Sequence, residues 1–194
     1  IDKFAQHDTN TSVTIEFGEY GEFKALKNLT IELTPISKDG IALQNLSTTS
    51  VDIGVILPGT YTSKAFKFYV PEGIPEGEYT GLAYVNTSNA DNLTISVRVI
   101  VDSTKPSVIP NPVEYPSGQN FANVNDTIGL NATVIDLLSG VNAVYVNTSA
   151  ISTIPYISLE KSSDWYTKNL TIDKDVEGGI YYLSITAVDY TGNE

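Results

Sequence analysis

Nine of the fifteen asparagines stand in Asn-X-Ser/Thr triplets: Asn10, Asn28, Asn45, Asn86, Asn92, Asn125, Asn131, Asn147 and Asn169. No middle residue is proline. Such a triplet is the acceptor for an N-linked glycan. Serine and threonine make up about a fifth of the chain, so chance supplies roughly three such triplets. Placement sharpens the excess. In Asn28-Leu29-Thr30-Ile31, Asn92-Leu93-Thr94-Ile95, Asn131-Ala132-Thr133-Val134 and Asn169-Leu170-Thr171-Ile172, the Asn and Thr share one strand face and the apolar residues take the other. Threonine is at home on a polar strand face. Asparagine is depleted there. A glycan aimed at solvent from each Asn is a reason for its presence. Glycosylation takes place outside the cytoplasm, so the expected location is extracellular, with N-linked glycans as partners.

Other chemistry is sparse. Asp102, Asp136, Asp189 and Asn193 are hard oxygen ligands at loop positions, and calcium takes six to eight such oxygens. The same Asp-X-X-Gly-Asn spacing is also that of an Asx-turn, in which the carboxylate binds its own backbone. No dense Asp-X-Asp-X-Asp loop is present. Calcium is therefore a weak candidate and no other cofactor is expected. His7 is the one histidine and there is no cysteine, which removes zinc and thiol chemistry. No phosphate loop and no nucleophile elbow occur. Glu72, Glu76 and Glu78 cluster on a turn, which offers neither the cleft nor the raised pKa of a catalytic carboxylate pair. No catalytic residue is assigned. Tyr156, Trp165, Tyr166, Tyr181 and Tyr182 have the chemistry of a sugar-stacking platform, but Trp165 and Tyr181 are expected in the core.

The elements that must position these residues are strands. The chain has 194 residues, 41% of them apolar, with 12 Tyr and 6 Phe. Acidic residues outnumber basic ones 23 to 11, for a net charge of −12. Phosphate contacts need Lys and Arg, so nucleic acid is not an expected partner. The longest apolar runs fall short of the 18 or so residues of a membrane span.

Ser12–Phe17 alternates, and Gly18–Gly21 reads as a turn. Asn28–Thr34 alternates again, Lys38-Asp39-Gly40 turns, and Val51–Leu57 and Lys64–Val70 follow. Pro71–Asp102 reads as turn, strand, turn, strand: Leu93, Ile95, Val97, Val99 and Val101 face one way. About seven strands in the first 100 residues fit an immunoglobulin-like sandwich. Asp102–Pro106 is the linker, and Pro106, Pro110, Pro112 and Pro116 mark an irregular edge strand. Asp126–Asp136, Val141–Thr148, Ile151–Leu159, Trp165–Ile172 and Ile180–Asp189 complete the count, with Trp165, Leu170 and Ile172 as core positions. The expected domains are 1–103 and 104–194. Both are antiparallel β-sandwiches, and the second lacks its last strand after Asp189. The missing pairing edge is filled either by residues beyond the chain or by another chain.

The run Val70–Gly81 followed by Leu93–Val99 resembles the end of the Ig-like modules of archaeal cell-surface and S-layer-associated proteins. Asp102–Pro106, Asp136 with Ser139-Gly140-Val141, Gly179–Leu183 and Ala187–Asn193 are similar to the bacterial and archaeal Ig-like repeat. The resemblance implies an all-β chain of two tandem Ig-like sandwiches. It implies a non-catalytic structural module of a glycosylated archaeal envelope protein, in a surface layer, stalk or filament. Its partners would be other copies or neighbouring domains of the same surface protein. Two other classes remain open: an adhesin or carbohydrate-binding module, and accessory domains of a large secreted enzyme.

Overall fold

The computed structural model describes residues 1–18, 24–46, 48–163 and 165–194. The turn expected at Gly18–Gly21 thus lies, beyond Gly18, outside the described residues. Among the described residues every regular element is a strand. The chain divides into two compact units, Ile1–Ser103 and Thr104–Glu194.

The first unit contains β1 (Asp2–Ala5), β2 (Thr9–Gly18), β3 (Leu26–Leu33), β4 (Ser37–Lys38), β5 (Ile41–Ala42), β6 (Ser50–Ile56), β7 (Tyr61–Val70), β8 (Gly77–Asn86) and β9 (Leu93–Val101). One sheet runs β1-β9-β8-β3-β6, with the β4–β5 hairpin attached to β8. β2 and β7 form a second sheet, paired from Thr9↔Val70 to Gly18↔Tyr61. The two sheets share one core. Val13 and Ile15 of β2 and Phe66, Phe68 and Val70 of β7 meet Leu29, Ile31 and Leu33 of β3, Tyr79 of β8 and Val97, Val99 and Val101 of β9. Period-2 alternation creates this face, because every second side chain of a strand points to the same side.

One strand was not expected and two readings are refined. The N-terminal residues form β1, which runs parallel to β9 from Asp2↔Arg98 to Ala5↔Val101. A parallel partner almost a hundred residues away leaves no local signal, and Ala5 is the one buried residue of the strand. Val51–Leu57 is strand to Ile56: Ile56 is buried and Val51 and Ile53 pack against the core, while Val55 at 56% and Leu57 at 60% are exposed. Leu93, placed on the inner face, is 58% exposed at the outer end of β9. Lys38-Asp39-Gly40 does turn, with φ of 50° at Asp39 and 81° at Gly40. Two positive φ angles in a row suit a two-residue hairpin, and Asp-Gly accommodates both.

The second unit contains β10 (Ser107–Pro110), β11 (Thr127–Ile135), β12 (Val141–Asn147), β13 (Tyr156–Ser158), β14 (Glu160–Ser162), β15 (Trp165–Thr171) and β16 (Ile185–Asp189). One sheet is ordered β10-β11-β15-β14 and the other β13-β12-β16. Ile128, Leu130, Ala132 and Val134 of β11 pack with Val144 and Val146 of β12, Tyr166 and Leu170 of β15 and Ala187 of β16. Trp165 was expected inside; it is 51% exposed and Tyr166 is buried in its place. Parity is the reason: Tyr166 shares a face with Leu170, and Trp165 cannot without a bulge. The strand expected over Ile180–Asp189 is paired only from Ile185.

Candidate functional site

None of the nine sequon asparagines is buried. Asn10, Asn28, Asn45, Asn92, Asn125 and Asn169 are exposed; Asn86, Asn131 and Asn147 are half-buried. The expected faces hold in β3, where Leu29 and Ile31 are buried and Asn28 is exposed. They hold in β15, where Leu170 is buried and Asn169 and Thr171 are exposed. In β11, Ala132 is buried between half-buried Asn131 and Thr133.

The structure separates the nine into two sets, which the sequence does not. Asn28, Asn45 and Asn125 have φ of 50°, 52° and 68°. Among residues with a Cβ, Asn and Asp tolerate this left-handed region best, since their short polar side chains bond locally. Asn28 sits where the β3–β6 register shifts, and its Nδ2 donates to Ser88 Oγ at 3.3 Å. Asn147 Oδ1 accepts from Ser149 N at 3.1 Å and Ser149 Oγ at 2.7 Å, and Asn92 Oδ1 accepts from Thr87 N at 3.3 Å. Those five asparagines have a conformational reason to be asparagine. Asn10, Asn86, Asn131 and Asn169 sit in strands with no side-chain hydrogen bond among the described residues. The third residue of the Asn45 triplet, Ser47, lies outside the described residues.

The loop carboxylates behave as turn anchors. Asp189 is buried, at 1% exposure. Its Oδ1 accepts from Thr191 N at 2.8 Å, Thr191 Oγ1 at 2.7 Å, Gly192 N at 2.6 Å and Asn193 N at 2.9 Å. Its Oδ2 accepts from Asn193 Nδ2 at 2.7 Å. Burial alone would raise the Asp189 pKa, but the bonds from Thr191, Asn193 and Gly192 outweigh it and hold the carboxyl below its ordinary value. Asp136 Oδ1 accepts from Gly140 N at 2.6 Å and Leu138 N at 3.2 Å. A carboxylate oxygen of Asp136 and one of Asp189 lie within 4.8 Å of each other. The second unit therefore does bring Asp136, Asp189 and Asn193 into one region, with the carboxylates bonded to their own turns. Asp102 belongs to the first unit, where its N–H donates to Ala5 O at 2.9 Å.

His7 is structural: its backbone N–H donates to Ser103 Oγ at 2.8 Å and Nε2 lies 2.9 Å from Ile74 O. Glu76 Oε1 accepts from Ser103 N at 2.8 Å, and Glu78 pairs with Arg98 at 3.3 Å, so two of the three clustered glutamates have structural partners.

Of the five aromatics singled out as a stacking set, the structure groups only two. Tyr181 and Tyr182 line a cleft of about 430 Å³ in the second unit, joined there by Tyr115 and Phe121. Tyr181 is 40% exposed and Tyr182 92%, against the expectation of a core Tyr181. Tyr115 and Phe121 escape sequence reasoning because they lie in an irregular, proline-rich stretch without periodicity.

No family model and no curated protein sequence matches the chain. Among solved structures, the Bacteroides ovatus mixed-linkage glucan utilization protein SGBP-B, in complex with a mixed-linkage heptasaccharide, matches at 16% identity and a TM-score of 0.24. The match covers 98% of this chain and 38% of that one. The human desmocollin-1 ectodomain matches at 12% identity and a TM-score of 0.27, over 98% of this chain and 33% of its own. The chain thus spans about a third of the length of either neighbour. At TM-scores this low, neither likeness bears on ligand or partner. No helix among the described residues is long and apolar enough to cross a membrane.

Proposed function

We propose that this chain is a non-catalytic structural module of a cell-surface protein, with N-linked glycans on its strand faces. The observation that supports it is the sequon set: nine acceptor triplets, none with a buried asparagine. The four in regular strands without a conformational role, Asn10, Asn86, Asn131 and Asn169, carry the most weight. Within this reading the units act as two Ig-like sandwiches, and the archaeal envelope is the setting that the sequence resemblance implies. Stiff β-sheet units set a spacing, and the glycans coat the exterior. Calcium is not required by the reading, since the turn bonds on Asp189 already satisfy that carboxylate.

The test is glycopeptide mass spectrometry on protein purified from its native cells. The expected result is a sugar on Asn10, Asn86, Asn131 and Asn169. Unmodified peptides at all nine asparagines would overturn the reading.

A further inference from the structure

One pentapeptide occurs twice in the chain. Tyr84-Val85-Asn86-Thr87-Ser88 in the first unit and Tyr145-Val146-Asn147-Thr148-Ser149 in the second are identical, and each contains a sequon. Asn86 and Asn147 are also the only two of the nine sequon asparagines with an aromatic residue two positions earlier. The copies sit on strands that do not correspond. β8, which carries the first, is opened by Tyr79, whose hydroxyl donates to Pro75 O. The second unit's tyrosine with such a bond is Tyr181, donating to Glu177 O, whereas the second copy lies in β12. Copying of a whole unit therefore does not account for the repeat, which leaves a shared local task.

The two copies fold alike. Each strand ends at the asparagine, β8 at Asn86 and β12 at Asn147. Val85 and Val146 are buried, so tyrosine and asparagine stand together on the outer face of the sheet. The threonine anchors the loop that follows: Thr87 Oγ1 donates to Ala90 O at 3.0 Å and Thr148 Oγ1 to Ile154 O at 2.5 Å. Both tyrosines are exposed. Opposite Tyr84 stand Thr94 of β9 and Glu32 of β3, and opposite Tyr145 stand Ser158 of β13 and Thr186 of β16. None of these is an aliphatic or aromatic side chain that would cover the ring. Asn86 stands opposite Thr30, and Asn147 opposite Tyr156, itself exposed.

Residues two apart on one strand face are separated by about 6.6 Å, which brings the first sugar on an asparagine beside the ring of the tyrosine before it. Asn147 makes its turn bonds through Oδ1, whereas a sugar is attached at Nδ2. The turn and the glycan therefore use different atoms.

We propose that the pentapeptide is a glycan dock. The first sugar of the N-linked glycan on Asn86 packs its C–H face on the ring of Tyr84, and that on Asn147 on the ring of Tyr145, with Tyr156 as a second wall. The inference rests on the reading that the sequons are glycosylated and adds what two of the glycans touch. A tyrosine ring is an apolar plate with a polar tip; a sugar held against it displaces water from both faces while its hydroxyls stay wet. Docking would fix the direction in which these two glycans leave the surface. Asn169, which follows Thr167 and stands opposite Gly129, offers a sugar no ring at either position.

The test uses the full chain carrying a single Asn-linked N-acetylglucosamine, installed by semisynthesis at Asn86, Asn147 or Asn169 in turn. One sugar per sample makes its NMR signals unambiguous. At Asn86 and Asn147 the sugar's ring protons are expected upfield of those at Asn169, with nuclear Overhauser contacts to a tyrosine ring. Tyr84→Thr should abolish both signs at Asn86 without moving thermal unfolding of the sugar-free chain, since threonine also suits an exposed strand position. Tyr145→Thr should reduce the shift at Asn147 more than Tyr156→Thr does. Glycopeptide mass spectrometry on protein from its native cells reads occupancy at the same two asparagines, and sugar on both is expected. Sugar protons at Asn86 and Asn147 that match those at Asn169, or a shift that survives Tyr84→Thr, would overturn the dock and leave the surface-module reading standing. Native protein bare at both asparagines but glycosylated elsewhere would overturn the dock alone; protein bare at all nine would overturn both.

Discussion

β8 and the stretch 179–188 begin with the same tyrosine corner, Tyr79 OH donating to Pro75 O at 2.8 Å and Tyr181 OH to Glu177 O at 2.7 Å, and alternate in the same way, yet they end in different states. Tyr79 is fully buried and Tyr181 is 40% exposed. β8 lies between β9 and β3 in its sheet, whereas β16 is the end strand of its own. The difference lies not in the strand but in its neighbour. Alternation decides which face of a chain turns inward. Whether that face becomes dry depends on a second strand to close the layer.

Substitutions can break or sharpen this contrast. The largest effect is expected at Val99→Asp in β9, which buries a charge where the wild-type side chain is fully covered. It should cost more than about 4 kcal/mol and abolish the first unit's thermal transition. Tyr182→Asp, on the unpaired stretch, should stay within about 0.5 kcal/mol. If both were severe, the second unit's edge would be closed in solution.

Asp189→Asn comes next. The folded carboxyl titrates below its unfolded value, so its stabilisation is present above about pH 4 and is lost as pH falls through the lower folded value. The substitution should cost about 1.5–3 kcal/mol at neutral pH, because it removes charge-assisted bonds and sets two amide donors against each other. Denaturant unfolding of the second unit between pH 5 and pH 2 should lose part of its slope (roughly the range over which such a carboxyl protonates).

Tyr79→Phe and Tyr181→Phe test the corner directly. Removing the buried hydroxyl in the first unit leaves Pro75 O without its partner, for about 1–2 kcal/mol. In the second unit water reaches the carbonyl, and a loss below about 0.5 kcal/mol is expected. Equal losses, measured by thermal unfolding, would mean that exposure does not separate the two corners.

The smallest contrast concerns the sequons. In unglycosylated recombinant protein, Asn28→Ala should cost about 1 kcal/mol, because alanine is strained at positive φ. Asn169→Ala should change unfolding by less than about 0.5 kcal/mol. Matching values would erase the division between conformational and free sequon positions.

Much of this architecture is legible from residue types. Phe66, Phe68 and Val70 declare a face, and so do Ile128, Leu130, Ala132 and Val134, because one neighbour on the core side is enough to fix parity. β1 is not legible, since its partner is distant and parallel. Trp165 misleads because size suggests burial while parity forbids it. At the site, the sequons are plain in the sequence, but the φ angles of Asn28, Asn45 and Asn125 are not, since a bulge or turn is a property of two strands together. The hydrogen-bonded state of Asp189 could be read from Asp-X-X-Gly-Asn as an Asx-turn. The cleft could not, since part of its lining, including Tyr115 and Phe121, comes from proline-rich chain without period.

The parallel ladder between β1 and β9 has a mechanical meaning. The chain enters the first unit at Asp2, opposite Arg98, and leaves it past Val101, opposite Ala5. Tension applied to the two ends would pull these strands along their lengths in opposite directions. The hydrogen bonds from Asp2↔Arg98 to Ala5↔Val101 would then be loaded in shear and fail together rather than unzip one at a time. The Arg98 guanidinium, bound to Asp2 through Nε at 3.0 Å and Nη2 at 2.9 Å, sits across the same line of force. A unit built in this way resists stretching better than its equilibrium stability alone would indicate.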